Sequence, residues 1–538
     1  MSTPGRFDLL IRGALVVDGT GAPGRPADVG VAAGRLTVLP PGRPAEAPQV
    51  LDAEGMVVAP GFIDVHTHSD GITLITPGST PGGGELVWAS VLQGVTTEIC
   101  GNCGSSLFPA LPGRLEDMSR ETRISFGGEV GIFQDFAGFA ARHSARPRAN
   151  HLASLVGHGT LRAGVLGHVD RPATPAELDT MCALLDLSLS QGAAGLSTGL
   201  IYTPGTYAGT DEVVALAAVA ARHGKPYVTH LRDEMSRVEE ALEEAVEIAR
   251  RSGAALHVSH HKTAGKYAWG RTARTLPRIA ELRAGGMDLT CDVYPYTAGS
   301  TSLSAMLPPW ANDGGFPALA ARLADPAERE RMRRAIAEGV PGWENTVGNG
   351  GWDRISIACA PRHPEIEGRT IAELAASGDA DPVDVAAGLL TAEDGEVTII
   401  SHSMVEEDVQ RVLAAPYAMI GSDGVPKPGG RPHPRWAGTY PRVLGHYSRE
   451  LGLLTLESAV HKMTGMAAAR FGLAGRGVVR DGAHADLVVF DPATVADRAT
   501  FAEPLLPPAG IRTVIVGGEI VVRDGLPAPA RPGTVLTT

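Results

Sequence analysis

Short apolar runs alternate with helical stretches over about 370 residues of this 538-residue chain, and this alternation constrains the fold more than any other feature. One predicted helix runs from about Glu234 to Ser252 and another lies near 272–284. The apolar face of the first consists of Val238, Leu242, Ala245 and Ala249. Such alternation is typical of parallel strands joined by helices. A closed barrel fits better than an open nucleotide-binding sheet, because no glycine-rich phosphate loop follows the first strand.

The two ends of the chain predict β structure instead. FDLLIRGALVVDG near the N-terminus and TVIVGGEIVVRDG near the C-terminus are β-rich runs, and the second has the Gly-Gly of a hairpin. We therefore predict an α/β protein. It combines a TIM (β/α)8 barrel, residues 59–475, with a small β-sandwich formed by residues 1–58 and 476–538. Residues of about 300–355 interrupt the alternation and are interpreted as an insertion over one face of the barrel.

Composition excludes several classes of function. The formal net charge of −13 argues against a nucleic-acid surface and offers no basic patch to a membrane. No apolar run reaches the ~18–20 residues of a membrane span, and the N-terminal residues do not resemble a signal peptide. Five cysteines, an odd and sparse set, indicate reduced thiols in a cytoplasm. The sequence leaves the oligomeric state open, including a homo-oligomer.

Polar side chains follow the apolar runs at the positions where barrel chemistry is found. These strand-end residues are His66, His68, Cys100, Cys103, His230, His260, His261 and Asp423. Since residues i and i+2 of a strand point to the same side, His66 and His68 can converge on one point. Imidazole, thiolate and carboxylate together form a ligand set typical of zinc. A metal site is therefore predicted, although any one of these histidines alone is more often structural.

Other histidines and cysteines receive a structural interpretation. His158 and His402 also end apolar runs, and we interpret them as structural or as supporting the ligands. Cys182 and Cys359 are assigned to the core, and Cys291 is expected to face a helix.

A series of motifs resembles one family. HTH after an apolar strand is similar to the amidohydrolase superfamily, metal-dependent hydrolases built on a TIM barrel with an attached β-sandwich. The finer set narrows the resemblance to the N-acyl-D-amino-acid deacylases, or D-aminoacylases. It comprises GVTTEICGNCG, GLSTGLIYTPG, THLRDE, SHHK, DVYPYTAGST, IGSDG and HPRWAGTYPRVLG. The motifs run in order from about residue 61 to 445, and the flanking β segments agree as well.

The resemblance implies a role for each matching residue. Cys103 corresponds to the cysteine ligand, and His230 and His260 complete a tight zinc site. His66 and His68 correspond to a second, weaker metal position that Cys103 can bridge. Asp423 corresponds to the catalytic aspartate. The residues that hold the substrate carboxylate are Tyr202, Lys262, Tyr294 and Arg435.

Two features depart from the family pattern or add to it. The glycine-rich stretch 71–90 is longer than expected, which bears on the first loop and on acyl-chain preference. Cys100 is an additional thiol. We interpret it as structural, because residues i and i+3 of a strand do not share a face.

The reaction that the resemblance implies is hydrolysis of a small N-acyl-D-amino acid to a carboxylate and a free D-amino acid. Zinc would activate water and polarise the carbonyl, while Asp423 would take the proton of the water and pass it to the leaving amine. One alternative is a cyclic-amide hydrolase of the dihydroorotase or hydantoinase kind, which typically uses a bridging lysine where this chain has GNCG. The other is a non-catalytic scaffold, which would require missing ligands.

Overall fold

The protein is described by a computed structural model, which covers residues 5–75 and 83–538. The predicted glycine-rich loop, 71–90, therefore lies partly outside the described residues. Within the described residues the strands are β1 Gly5–Arg6, β2 Leu9–Val16, β3 Arg25–Ala32, β4 Arg35–Leu39, β5 Ala45–Glu46, β6 Gln49–Asp52, β7 Val57–Pro60, β8 Phe62–Asp64, β9 Val95–Cys100, β10 His151–Ser154, β11 Val156–Gly157, β12 Leu196–Gly199, β13 Tyr227–His230, β14 Leu256–Val258, β15 Leu289–Val293, β16 Gly299–Ser302, β17 Ile355–Cys359, β18 Thr398–Ser401, β19 Ala418–Ile420, β20 Leu487–Phe490, β21 Ile511–Val516, β22 Glu519–Arg523 and β23 Leu526–Pro527.

Helices connect most of the parallel strands, and further helices lie elsewhere in the chain. They are α1 Gly83–Ala89, α2 Leu115–Phe126, α3 Phe136–Ser144, α4 His158–Val165, α5 Pro175–Ser190, α6 Thr210–Arg222, α7 Val238–Ser252, α8 Thr272–Ala284, α9 Gly315–Ala324, α10 Pro326–Glu338, α11 Thr346–Gly350, α12 Ile371–Gly378, α13 Pro382–Ala392, α14 Glu406–Ala414, α15 Arg435–Arg442, α16 Leu456–Met463 and α17 Gly465–Arg470. A π-helix, Val443–Glu450, continues directly from α15. No helix among the described residues is long and apolar enough to cross a bilayer.

Parallel strands carry the centre of the molecule. One sheet has the order β10-β9-β8 and the other the order β11-β12-β13-β14-β15-β19, and every pairing in both is parallel. Only Leu155 separates β10 from β11, and a parallel bridge joins Thr67, after β8, to Gly424, after β19. Parallel strands present their carboxyl ends on the same side, so the residues after these strands lie on one face of the molecule.

The helix predicted from Glu234 begins later than expected. Its predicted apolar face is buried, which confirms the period of the pattern. However, Asp233 Oδ1 accepts the N–H groups of Met235 and Arg237 at 2.8 and 3.0 Å, so a turn occupies the residues before Val238. Gly253 ends the helix with a φ of 77°, a conformation that glycine adopts without strain. The helix predicted near 272–284 is α8.

Both ends of the chain meet in one sheet. The order is β23-β22-β21-β20-β7-β2-β3-β4, with β6 also paired to β2, and this arrangement is named the terminal sheet. Its two halves join where β20 pairs antiparallel with β7. The predicted C-terminal hairpin consists of β21 and β22, which turn at Gly517 and Gly518.

A separate unit interrupts the parallel strands between β15 and β19. Residues 299–401, named the inserted unit, contain the antiparallel sheet β16-β18-β17 and helices α9 to α13. Buried side chains from Leu303 to Ile399 form its own hydrophobic core. The predicted insertion of about 300–355 lies within this unit, which continues to Ser401.

Candidate metal centre

Six polar side chains lie just beyond the carboxyl ends of the parallel strands. His66 and His68 follow β8, Cys103 follows β9, His230 ends β13, His260 follows β14 and Asp423 follows β19. Five of them are buried and His68 is partly exposed. The strand order therefore brings together residues that are up to 357 positions apart (66 to 423) in the sequence.

Cys103, His230 and His260 form one group of potential metal ligands. Their ligand atoms all lie within 4.8 Å of one another, and Cys103 Sγ is 3.3 Å from His260 Nε2. One sulfur and two imidazole nitrogens form a three-ligand set that leaves a further position open, as a catalytic zinc site requires.

A second group shares the same cysteine. His66, His68, Cys103 and Asp423 offer ligand atoms within 4.8 Å of one another. Cys103 Sγ is 3.3 Å from His66 Nε2, and Asp423 Oδ1 lies 3.4 Å from His66 Nε2 and 3.3 Å from His68 Nε2. Because one thiol belongs to both groups, it can bridge two metal positions.

Left-handed backbone conformations mark three of these residues. The φ angles of Cys103, His260 and Asp423 are 51°, 33° and 51°, a region that residues with a Cβ rarely adopt. Each costs on the order of 1 kcal/mol or more, and such strain is concentrated at functional sites. All three of these residues contribute a ligand atom to the two groups.

His230 supplies a test of whether the site suits a metal. Its ring is buried, and neither Nδ1 nor Nε2 makes a hydrogen bond, although Nε2 lies 3.4 Å from a carboxylate oxygen of Glu234. Burial lowers the pKa of His230, so the ring is neutral near pH 7. A buried neutral imidazole without a hydrogen bond is costly unless a ligand completes it, and a metal ion would do so.

Charges around the cysteine also suit metal binding. Burial alone would raise the pKa of Cys103, but the neighbouring His66 and His260 outweigh it and hold this pKa well below its usual range. Burial would likewise raise the pKa of Asp423, yet Arg435 and the histidines hold it well below its usual range. The thiolate and the carboxylate are therefore the forms present at neutral pH, and these are the forms that bind metal.

Two carboxylates orient the histidines, and the sequence analysis assigned no role to either. Asp292 Oδ2 lies 3.3 Å from His66 Nδ1, and Asp292 Oδ1 accepts the backbone N–H of His260 at 3.0 Å. Glu234 Oε1 lies 3.0 Å from His260 Nδ1, and Lys262 Nζ lies 2.7 Å from the same nitrogen. With Nδ1 of each ring engaged by these groups, Nε2 is the nitrogen that can bind metal. An acid four residues after His230 and another at the end of β15 were the available signals.

The four residues predicted to hold the substrate carboxylate have different surroundings. Arg435 Nη1 lies 2.9 Å from Asp423 Oδ2, and Lys262 Nζ lies 2.7 and 2.8 Å from the Glu234 oxygens. The Tyr294 ring lies under both cations, at 4.7 Å from Arg435 Cζ and 5.6 Å from Lys262 Nζ. Tyr202 packs edge-on against His230. Both cations thus lie at the centre and are engaged by its carboxylates.

A cavity of about 340 Å³ opens onto the centre. His68, Cys103, Tyr202 and Asp423 line its inner end. Its remaining wall combines apolar and hydroxyl-bearing side chains. The apolar ones include Leu107, Met118, Phe126, Ile132 and, from the inserted unit, Leu307. Among the described residues the lining contains no lysine or arginine.

The remaining cysteines and histidines of interest lie outside both groups. Cys100 is buried and its Sγ donates to Ala153 O at 3.4 Å. Cys291 and Cys359 are buried in strands, and Cys182 lies on α5. His158 Nε2 lies 2.8 Å from Glu212, and His402 Nε2 lies 3.2 Å from Ser356 Oγ.

Parallel strands with histidine, cysteine and aspartate at their carboxyl ends are typical of metal-dependent hydrolases, and comparison with known proteins identifies the family. Residues 49–522 match the amidohydrolase family, and the chain belongs to this family. The D-aminoacylase of Alcaligenes xylosoxydans xylosoxydans is 40% identical over 98% of this chain and 97% of its own length. The N-acyl-D-glutamate deacylase of the same organism is 38% identical over 99% and 96%. Within the family, the chain therefore belongs to the group of N-acyl-D-amino-acid deacylases.

A solved structure extends the similarity to three dimensions. The N-acyl-D-glutamate deacylase of Bordetella bronchiseptica was crystallised with zinc and a phosphonate inhibitor that mimics the tetrahedral intermediate. It superposes with a TM-score of 0.83 at 38% identity, covering 99% of this chain and 100% of that one.

Proposed function

We propose that this chain is a zinc-dependent hydrolase that cleaves the amide bond of N-acyl-D-amino acids to a carboxylate and a free D-amino acid. The observation that carries the proposal is Cys103, whose thiolate belongs to both ligand groups at one end of a cavity. The relatives supply the substrate class and the D configuration.

We also propose the finer architecture predicted from the sequence. The proposed (β/α)8 barrel has eight parallel strands and is closed by the Thr67–Gly424 bridge. In order, the strands are β8, β9, β10 continued by β11, β12, β13, β14, β15 and β19. The boundaries remain 1–58, 59–475 and 476–538, with the terminal sheet as the proposed sandwich. Free thiols at all five cysteines agree with a cytoplasmic location.

The metal site is proposed to hold one tightly bound zinc at Cys103, His230 and His260, and to offer a weaker position at His66 and His68. Zinc bound there supplies Lewis acidity to the amide carbonyl and lowers the pKa of water to about 7. Asp292 and Glu234 keep the imidazoles in the tautomer and orientation that binding needs.

Asp423 is proposed as the general base and acid. Its carboxylate accepts the proton of the attacking water and then returns that proton to the amine nitrogen as the C–N bond breaks. Arg435 holds the other oxygen of this carboxylate, which keeps Asp423 ionised and fixes its orientation.

The substrate carboxylate is proposed to bind Arg435, Lys262, Tyr202 and Tyr294. Two cations next to a metal centre suit an anionic substrate whose carboxylate adjoins the scissile amide. The buried Tyr294 hydroxyl makes no hydrogen bond in the described structure, so it is available to a ligand.

Replacing Arg435 with methionine should lower kcat/KM for an N-acetyl-D-amino acid by at least about tenfold. A charge-assisted hydrogen bond contributes ~1.5–3 kcal/mol, and ~1.4 kcal/mol corresponds to tenfold. The loss on the matching C-terminal amide, which lacks the carboxylate, should be smaller, because there the substitution removes only the contact of Arg435 with Asp423. Kinetics of wild type and variant on both substrates complete the cycle.

The control is Arg442→Met, because Arg442 lies on the same helix and pairs with Asp497 instead. It should leave the ratio of acid to amide activity unchanged. Equal losses on acid and amide for Arg435→Met would mean that Arg435 acts only by holding Asp423.

The cavity further indicates which N-acyl-D-amino acids are preferred. Tyr202 adjoins both the metal centre and the cavity, so a substrate carboxylate bound there places the amino-acid side chain toward the apolar side chains of the wall. An ionised side chain would lose its hydration without gaining a counter-charge. The sequence of residues 76–82, TPGSTPG, has no ionisable side chain.

We therefore expect N-acetyl-D-leucine and N-acetyl-D-methionine to have kcat/KM values at least about tenfold above those of N-acetyl-D-glutamate and N-acetyl-D-aspartate. A panel of D and L substrates measures this directly. Leu307→Lys, which adds a cation to the cavity wall, should narrow the difference. Preference for acidic substrates would refute the apolar assignment, and preference for L enantiomers would refute the stereochemistry.

Activity assays also distinguish the proposed deacylase from the two alternatives, a cyclic-amide hydrolase and a non-catalytic scaffold. Turnover of hydantoin or dihydrouracil without activity on any N-acyl amino acid would establish a cyclic-amide hydrolase. The scaffold alternative is not favoured, since all five predicted metal ligands converge.

A further inference from the structure

The inserted unit contacts the metal centre through one buried carboxyl group. Glu344 lies in the segment between α10 and α11, with only 9% of its surface exposed. Its Oε2 accepts the backbone N–H of Glu234 at 2.6 Å. Trp343 and Val347, on either side of Glu344, are part of the hydrophobic core of the inserted unit, so Glu344 is anchored to that core.

Glu344, the acceptor of that hydrogen bond, lies where an ionised carboxylate is unfavourable. Burial, together with the charges of Glu234 and Asp233, raises the pKa of Glu344 to about 8. The carboxyl group of Glu344 is not stabilised by electrostatic attraction, because its neighbours Glu234 and Asp233 are also acidic. What it offers is a hydrogen-bond acceptor at the end of a side chain long enough to reach Glu234.

Glu234 is the residue whose position matters for the metal. Its carboxylate contacts His260 Nδ1 at 3.0 Å and lies 3.4 Å from His230 Nε2, the two imidazoles of the proposed tight site. The carbonyl oxygen of Glu234 accepts the Ala264 N–H at 2.8 Å, so its backbone is held on one side by the barrel loop. Among the described residues, Glu344 is the only hydrogen-bond partner of the backbone N–H of Glu234.

We propose that Glu344 is a positioning residue for the metal centre: it holds the backbone of Glu234, and thereby orients the carboxylate that contacts His260. The inserted unit thus contributes to metal retention as well as to the cavity wall. This inference rests on the proposed zinc site.

The test is zinc release from the full-length holoprotein to a chromogenic chelator, with no substrate present. Glu344→Gln retains the reach and the acceptor oxygen but cannot ionise, and it should release zinc within about twofold of the wild-type rate. Glu344→Asp retains the acid but is one methylene too short, and it should release zinc about tenfold faster. Loss of a supporting contact to a ligand typically costs about 10–100-fold in affinity. Glu338→Gln, at an exposed position of the same unit, is the control and should match wild type.

Slow zinc release from Glu344→Gln together with fast release from Glu344→Asp is expected only if the length of the side chain and its acceptor oxygen are what hold Glu234. Rapid release from Glu344→Gln, or wild-type release from Glu344→Asp, would overturn the proposal. Thermal unfolding of the metal-free variants should be within a few degrees of wild type, which separates metal retention from general stability. Absence of zinc from purified wild-type protein would contradict the proposed function itself, a different outcome from a failure of Glu344.

Discussion

Replacing Cys103 with alanine should remove the tightly bound zinc and abolish hydrolysis. The thiolate belongs to both ligand groups, so its loss leaves two histidines in one and weakens the other. Since loss of an outer contact already costs about 10–100-fold in metal affinity, loss of the shared ligand should cost at least about 100-fold. Metal analysis of the purified variant and an assay on N-acetyl-D-leucine measure the two effects.

Cys100→Ala is the matched control for this substitution. Cys100 is also buried, three residues away, but its sulfur donates to a carbonyl and belongs to neither group. It should retain zinc and activity. Full zinc content in Cys103→Ala, with loss from Cys100→Ala, would reverse the assignment of the two thiols.

The second large effect is expected for Asp423→Asn, which should lower kcat by roughly 10²–10⁴, the usual contribution of a positioned acid–base group. Asparagine has nearly the same shape but cannot accept the proton of water at neutral pH. It also tolerates the left-handed backbone found at this position, with a φ of 51°. Zinc content should remain near the wild-type value because the tight site lies at other residues.

Asp379→Asn repeats the same change in the same backbone conformation away from the centre. Asp379 has a φ of 48° and is exposed at the end of α12. Its kcat should be unchanged, which separates backbone strain from chemistry. A near wild-type kcat in Asp423→Asn would remove the aspartate from the mechanism.

Local patterns in the sequence were sufficient to predict the set of strand-end side chains from which the metal-binding groups are drawn, whereas the choice of Cys103, His230 and His260 as the tight site came from the family resemblance. His66 and His68 could be identified because strand residues alternate sides, so a spacing of two brings both imidazoles to one face. The period of α7 and the pairing of the terminal segments were predictable for the same reason. Burial of an apolar face imposes a repeat that can be recognised without knowing the partner.

The supporting residues depend on tertiary contacts that no local pattern encodes. Glu234 was assigned to a helix by its period, yet the side chain of Asp233 forms a turn there and leaves Glu234 to contact the histidines. Asp292 acquires its role only because β15 lies between β14 and β19. Arg435 was predicted to bind substrate, but its contact with Asp423 depends on how α15 packs. The left-handed backbones of Cys103, His260 and Asp423 have no signal at all in the sequence.

The terminal sheet has a consequence for the synthesis of this protein on the ribosome. Strand β7 ends at Pro60, whereas its partner β20 begins at Leu487. At about 5–20 residues per second, roughly 20–90 s separate the emergence of the two strands. During that interval the nascent N-terminal strands have an unpaired edge, which favours association with other chains. The terminal sheet is therefore completed only when the last tenth of the chain has been translated, after all the proposed metal ligands have been synthesised.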